Sequence, residues 1–358
     1  APTDGVFGHF QAKGTYSLTP GLSGIAKSMT KEWPNGRAVV VDLDVSVKDP
    51  RVVAKTLLNE LAIDGSIETA IYKGERLTLE RTAAVELDAG LVHTQGTVVA
   101  TGGARGVTFE VLRELAKLSP RKMVILARTL GVAKKDSPIA GRTADEVKAI
   151  AKASLQGKVE RITPVAVKRW VEKEEKKLEV TENLDALRTL GCEVVSLQCD
   201  TSDAAGLSKL LETVHAEHGQ VELLVHGSGI EESKYIQDKD IDAFDRTFKP
   251  KVDALDTLVE ALKPTRTLCM GSVAGRFGNA GQADYSAANE SMGAMARCTD
   301  SGMLNVCWTA WADVGMATRG SVGRVLTDLG VELLPARLGA QIGARLALSN
   351  VTGDVVVA

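Results

Sequence analysis

Aromatic residues make up only 4% of the 358 residues. That scarcity argues against base-stacking surfaces of the kind that bind single-stranded nucleic acid. The net charge of -3 removes the electrostatic case for nucleic acid as well. Cysteines are few and odd in number: Cys192, Cys199, Cys269, Cys298 and Cys307. None forms a close CxxC pair, so neither a disulfide framework nor a zinc spacing is present, and a reduced, cytoplasmic setting is expected. No apolar run approaches the length of a membrane span, and no signal peptide is visible. The chain enters patterned sequence almost at Ala1, and is expected to be a segment of a longer polypeptide. What remains is ordinary globular composition, 44% hydrophobic and 25% charged, with 34 glycines suited to many tight turns. The length allows one large core or two domains.

The first 93 residues read as a small α/β unit without a phosphate-binding glycine loop. Leu22–Glu32 has Leu22, Ile25, Ala26 and Met29 at helical spacing. Residues 37–43 form a short apolar strand. Pro50–Leu61 is a second helix whose apolar side is Val52, Val53, Leu57, Leu58 and Leu61. Strands are expected at 68–72 and 76–80. A second unit spans 94–358. It opens with a strand at 97–100, the loop Thr101-Gly102-Gly103-Ala104-Arg105-Gly106-Val107-Thr108, a helix at 109–118 and a strand at 122–127. Strand, glycine loop, helix, strand begins a doubly wound parallel α/β sheet that binds a dinucleotide. Between Thr129 and Glu182 the rhythm breaks into a Lys/Glu/Ala-rich insert, with helices at 143–155 and 164–178. Its charge is most simply a solvated face. The rhythm then resumes: a helix at 184–190, a strand at 193–198, a helix at 204–217, a strand at 221–225 and a helical region at 241–262 broken near Pro250. A strand at 266–270, a helix at 285–299, a strand at 304–311 running into a loop, a helix at 338–348 and a strand at 354–357 complete the chain.

The glycine loop lets backbone approach a pyrophosphate at the N-terminus of the next helix. The plain alternative is an ordinary strand–helix turn. Arg128 ends the second strand about twenty residues on, where an acid would grip the ribose hydroxyl of NAD and an arginine suits the phosphate of NADP. Arg105 can add a second guanidinium. Two arginines and no acid favour NADPH. Asp200, followed by Thr201, could bond the adenine amine; it could equally form a turn. Further on, Ser272 ends an apolar strand, thirteen residues ahead of Tyr285, with Asn289 one helical turn after the tyrosine. A phenol beside a hydroxyl and an amide is suited to protonating a carbonyl oxygen as hydride reaches its carbon. His215 and His218 lie three apart without a third ligand and read as solvent-facing.

Thr101-Gly102-x-x-x-Gly106, Ser272, Tyr285 and Asn289 together resemble the short-chain dehydrogenase/reductase superfamily. Within it they are similar to the ketoreductase domains of polyketide and polyunsaturated fatty acid synthases. Most of the superfamily has Tyr-x-x-x-Lys; here Asn289 takes the lysine position, and Lys251, in Phe248-Lys249-Pro250-Lys251-Val252-Asp253, matches the lysine that ketoreductase domains supply from upstream. Gly21–Lys27, Glu32-Trp33-Pro34 and Val41–Asp44 resemble the truncated, Rossmann-like structural subdomain that precedes the catalytic one. His226-Gly227-Ser228-Gly229 is similar to a cofactor loop, Trp311–Met316 to the entry of a substrate lid, and Leu333-Leu334-Pro335 to its close. Three departures stand out. Thr108 replaces a third glycine, Phe277 lies eight before Tyr285, and Glu231-Glu232-Ser233 replaces a Leu-Asp-Asp motif. No product handedness is therefore assigned.

The resemblance implies reduction of a 3-ketoacyl thioester, carried on the phosphopantetheine of an acyl carrier protein, among neighbouring synthase domains. Tyr285 would be the acid, Ser272 would bond the ketone oxygen, and Lys251 would hold the nicotinamide ribose. An unperturbed tyrosine has a pKa of about 10, and a nearby cation lowers such a value. Asn289 would orient Lys251 or a relay water. His226, on the cofactor loop, reads as structural rather than acidic. Two other readings are a catalytically silent scaffold of the same fold and a free-standing dehydrogenase. The first is opposed by the full Lys251–Ser272–Tyr285–Asn289 set, the second by the extra N-terminal unit.

Overall fold

The computed structural model describes residues 6–7, 21–44, 46–80, 82, 96–299, 302–315, 324, 328 and 330–358. The boundary expected at 93–94 lies outside them, as does Met316 at the expected lid entry.

Among the described residues the N-terminal part holds α1 (Gly21–Glu32), β1 (Val40–Leu43), α2 (Pro50–Ala62), β2 (Glu68–Tyr72) and β3 (Glu75–Thr78). β1 and β2 are parallel and β3 returns antiparallel. From β4 (Thr97–Thr101) onward the chain builds a seven-stranded sheet. Its elements are α3 (Gly106–Leu118), β5 (Lys122–Ala127), α4 (Ala144–Leu155), α5 (Pro164–Thr189), β6 (Glu193–Gln198), α6 (Ala204–His218) and β7 (Val221–His226). They continue with α7 (Ile241–Phe248), α8 (Asp253–Leu262), β8 (Arg266–Ser272), α9 (Val273–Phe277), α10 (Ala283–Cys298), β9 (Met303–Trp308), α11 (Ala336–Leu348) and β10 (Gly353–Val357).

The sheet order is β10-β9-β8-β7-β4-β5-β6, with every pairing parallel. Connections run outward in opposite directions from β4 and β7, so the carboxyl ends of these two strands make the crevice where such folds bind ligands. Both faces are covered. Val98, Ala100 and Ile125 pack with Leu112, Leu184 and Ala340 on one side. Val99, Val124 and Leu126 pack with Leu207, Leu255 and Met292 on the other. Burial on both faces explains why these strands read as continuous apolar runs rather than alternating ones.

Four local expectations are corrected. First, α1 does not bury its apolar stripe. It buries Gly21, Ser23, Gly24, Lys27 and Ser28 against α10, while Leu22 is 57% exposed. A side chain at Gly24 would collide with the Ser286 carbonyl, so glycine permits backbone-to-backbone approach. Second, α2 buries only Glu60 and exposes Val52, Leu57, Leu58 and Leu61. Glu60 is buried because Arg76 grips it with three hydrogen bonds. Third, the helices expected at 164–178 and 184–190 are one 26-residue helix, α5. No glycine or proline lies between Leu178 and Leu184 to stop it. The insert thus runs directly into the helix that crosses from β5 to β6. His218 is also half-buried rather than solvent-facing.

An ionic cluster ties the two sheets together at α10. Lys27 of α1 lies 2.9 Å from Glu290 and 3.1 Å from Glu68. Arg276 of α9 also contacts Glu68 and, at 3.4 Å, Glu290. Arg297 bridges Glu290 at 2.7 Å and Asp354 at 2.8 Å. Burial alone would raise the Glu290 carboxyl, but Lys27, Arg297 and Arg276 outweigh it and hold it below the usual range. The resulting stabilisation is fully present above the unfolded carboxyl pKa of about 4.3. It is lost as pH falls through the lowered folded value. Glu290→Gln leaves three cations short of a carboxylate and is expected to cost about 3–5 kcal/mol. A urea titration at neutral pH measures this as a fall in the unfolding midpoint.

Candidate active site

Pro250 breaks the helical region into α7 and α8, and Lys251 occupies the break. Its side chain is buried, the amine donating to the Met270 carbonyl at 3.2 Å and standing 5.3 Å from the centre of the Tyr285 ring. Burial lowers the Lys251 pKa to about 8. Tyr285 is 9% exposed on α10, whose next turn brings Asn289 beneath it. Asn289 donates from Nδ2 to the Tyr285 carbonyl at 2.7 Å, while its Oδ1 is buried with no hydrogen-bond partner. Lys251 therefore rests on β8 and not on Asn289. Ser272 is the last residue of β8, half-buried, and its hydroxyl accepts the Ala274 N–H at 3.1 Å as the cap of α9. α9 itself was not anticipated: a five-residue helix has too few positions to show a period. Gly275 lets α9 lie against the Asn289 backbone, where a Cβ would come within 2.8 Å.

A relay beneath the crevice fixes the surrounding loops. Thr101 and His226 are register partners at the ends of β4 and β7. Thr101 Oγ1 accepts from Ser228 N–H at 3.2 Å and Gly227 N–H at 3.3 Å, and lies 2.9 Å from His226 Nδ1. His226 Nε2 lies 2.9 Å from the Lys251 carbonyl. A carbonyl can only accept, so Nε2 carries the proton and Nδ1 receives the threonine hydroxyl. Burial, then the Lys251 charge, hold His226 down at a pKa of about 3, consistent with a neutral structural ring.

The glycine loop follows. Gly102 and Gly106 both adopt φ +66°, a region that favours glycine. A Cβ at Gly102 would meet the Gly227 carbonyl at 2.7 Å, whereas at Gly106 it would meet open space. Gly103 is pressed against Leu112, and Val107 faces Gly315. Thr108 is buried against Gly227, whose missing Cβ leaves its room. The helix therefore keeps its close approach, with the bulk moved across the contact. α3 begins at Gly106 with no side-chain cap and no acid in its first turn, which leaves its N–H groups for an anion.

Arg105 does not point away from other charges. Its Nε donates to Glu179 of α5 at 2.6 Å, and Asn183, one turn on, donates to the Ala104 carbonyl at 3.0 Å. The insert helix thus buttresses the loop, a contact across more than seventy residues that no local pattern could reveal. Arg128 is exposed at the end of β5. Asp200 accepts both the N–H and the hydroxyl of Ser202 on Oδ1, which hold its carboxyl low with Arg128 adding to the effect. That is the turn geometry; Thr201 beside it is buried. At the far side Trp311 bridges Leu334, and Ala312 N–H donates to the Leu334 carbonyl at 2.8 Å, so the two ends of the expected lid segment meet. Among the described residues no cluster of three or more His, Cys, Asp or Glu could hold a metal, and no helix is long and apolar enough to cross a membrane.

A doubly wound sheet with a tyrosine, a buried lysine and a glycine loop at its switch point is the architecture of nucleotide-dependent oxidoreductases. Residues 96–314 match the KR domain family, and the chain belongs to it. A polyunsaturated fatty acid synthase polypeptide of a Thraustochytrium species is 28% identical across the whole chain, which spans 13% of that polypeptide. Polyketide synthase PksL of Bacillus subtilis is 29% identical over 43% of the chain, which covers 4% of its length. Among solved structures, the ketoreductase of the first phoslactomycin module from Streptomyces sp. HK803 superposes with a TM-score of 0.71. That match has 23% identity and covers 96% of this chain and 70% of that one. A ketoreductase domain of the bacillaene assembly line gives 0.68 at 22% identity, covering 95% and 73%.

Thr101→Val keeps the shape but strands the Ser228 N–H and His226 Nδ1. It is expected to cost about 1–3 kcal/mol, with Thr101→Ser close to wild type, in matched thermal unfolding curves.

Proposed function

We propose that the chain reduces the β-carbonyl of a 3-ketoacyl thioester to the 3-hydroxyacyl product with NADPH. The substrate would arrive on the phosphopantetheine arm of an acyl carrier protein within a larger synthase. Residues 94–358 are the catalytic part and residues 1–93 the non-catalytic support. The observation that carries this reading is the Lys251 amine buried beside the Tyr285 ring, with the unpaired Asn289 Oδ1 on the same helix.

The residues fit the cofactor. Gly102, Gly103 and Gly106 with the uncapped start of α3 suit a pyrophosphate; Arg105 and Arg128 suit the 2′-phosphate; Gly227, Ser228 and Lys251 suit the nicotinamide ribose. Bound there, NADPH would supply the hydride. Ser272 would donate a hydrogen bond from its hydroxyl to the ketone oxygen, keeping its proton, while its own oxygen keeps the Ala274 bond. Tyr285 gives its proton to the growing alkoxide. Lys251, charged below about pH 8, favours the phenolate left behind. Asn289 Oδ1, which the Lys251 amine does not reach, offers an acceptor to a relay water.

Tyr285→Phe is expected to lower kcat more than about 100-fold while leaving NADPH affinity intact, followed by NADPH absorbance with a short 3-ketoacyl thioester. A wild type that stays inactive even on carrier-bound substrate sinks the reading. The Glu179 carboxylate competes with a phosphate for Arg105. Glu179→Gln should therefore tighten NADPH up to about fivefold, the range of a part-exposed ion pair, and leave NADH unchanged in fluorescence titrations.

A further inference from the structure

We propose that Glu32, the last residue of α1, is a positioning residue that clamps together the two loops leaving the active site and thereby sets how the acyl substrate is presented. This deepens the ketoreductase reading and rests on it. One carboxylate oxygen of Glu32 accepts the Ile236 N–H at 2.8 Å, and the other accepts the Gly281 N–H at 2.9 Å. These partners belong to different loops. The first runs from Gly229 to Asp240, starting where a Cβ at Gly229 would meet the Lys251 side chain at 2.7 Å. The second runs from Gly278 to Gln282 and leads into α10 three residues ahead of Tyr285.

The loops also meet directly, Lys234 N–H donating to the Gly281 carbonyl at 2.9 Å and Gln282 Nε2 to Ser233 Oγ at 3.4 Å. A buried pair, Lys239 with Asp284 at 2.8 Å, closes the far end, and Asp284 accepts the Tyr285 N–H at 2.8 Å. α1 makes a further bond to the second loop, Asn279 N–H to Ser28 Oγ at 3.3 Å. A carboxylate in the last turn of a helix opposes the helix dipole. Glu32 therefore does not serve α1; its placement is explained by the two N–H groups beyond it. Charge-assisted bonds to backbone are among the stronger ones. Because they read only backbone, the clamp holds whatever side chains the loops carry. The first loop follows β7 and the second leads into the turn that carries Tyr285, so in this proposal their separation sets the approach of a ketone to Tyr285 and Ser272.

Amide hydrogen exchange at Ile236 and Gly281 tests the clamp without turnover. Both amides should be protected in the wild type and both should lose protection in Glu32→Ala. In Glu32→Gln one should keep it, since a carboxamide has a single acceptor oxygen. With a 3-ketoacyl thioester, Glu32→Ala should raise KM about tenfold, change kcat less than about twofold and erode the ratio of the two hydroxy enantiomers, with NADPH affinity unchanged. Unaltered exchange at both amides in Glu32→Ala overturns the clamp. Parallel loss of kcat, NADPH affinity and melting temperature with an unchanged enantiomer ratio overturns the positioning role. A wild type that binds NADPH but reduces no thioester overturns the ketoreductase reading alone, and the exchange at Ile236 and Gly281 then decides the clamp.

Discussion

Helix α10 is enclosed on nearly every side, and the arrangement of the molecule follows from that enclosure. Tyr285, Asn289 and the charged residues Asp284 and Glu290 are all buried on it. An enclosed helix cannot leave its charges to water, so each requires a partner brought from elsewhere. Lys239 comes from the loop after β7, Lys27 from α1, and Arg276 from α9. The same demand that neutralises the helix therefore fixes the elements around it. The side chains proposed for catalysis inherit that order, because Ser272 caps α9 and Lys251 lies against Tyr285 of α10.

The parts of the fold legible in the sequence were those governed by local rules. The strand, glycine loop and helix from Thr97 onward are consecutive, and their composition reports burial on both sheet faces. The placement of Ser272 at a strand end and of Tyr285 and Asn289 one turn apart on a helix was legible because all three lie along one strand–loop–helix unit. The buried face of α1 was not, because periodicity assigns the inside to apolar residues, and here Gly24, Lys27 and Ser28 were selected by a helix more than 250 residues away. The exposed side of α2 failed for the same reason: Arg76 pulls Glu60 inward against the apolar pattern. The Arg105–Glu179 pair and the Glu32 bonds join residues whose adjacency exists only after folding.

The hydroxyl and imidazole of Thr101 and His226 give the crevice a floor with a single proton arrangement. Each donor finds one acceptor, ending at the Lys251 carbonyl. A neutral histidine here has a different use from an acid: it transmits the position of β4 to the backbone of the lysine. The insert helix acts on the opposite side of the same loop, through Glu179 and Asn183. The glycine loop is thus held from below by a relay and from the flank by a helix, which leaves its outer N–H groups as the surface open to an anion.

The contact between Gly24 and Ser286 is made by main chain on both sides. Side chains can change rotamer and let helices slide; two backbones in contact have no such slack. Charged groups on either side of that contact close the remaining rotations. Among the described residues, the N-terminal sheet and the large sheet are therefore held to each other through α1 and α10 by contacts that resist sliding. Force applied to the N-terminal sheet therefore passes straight into α10, the helix that carries Tyr285 and Asn289.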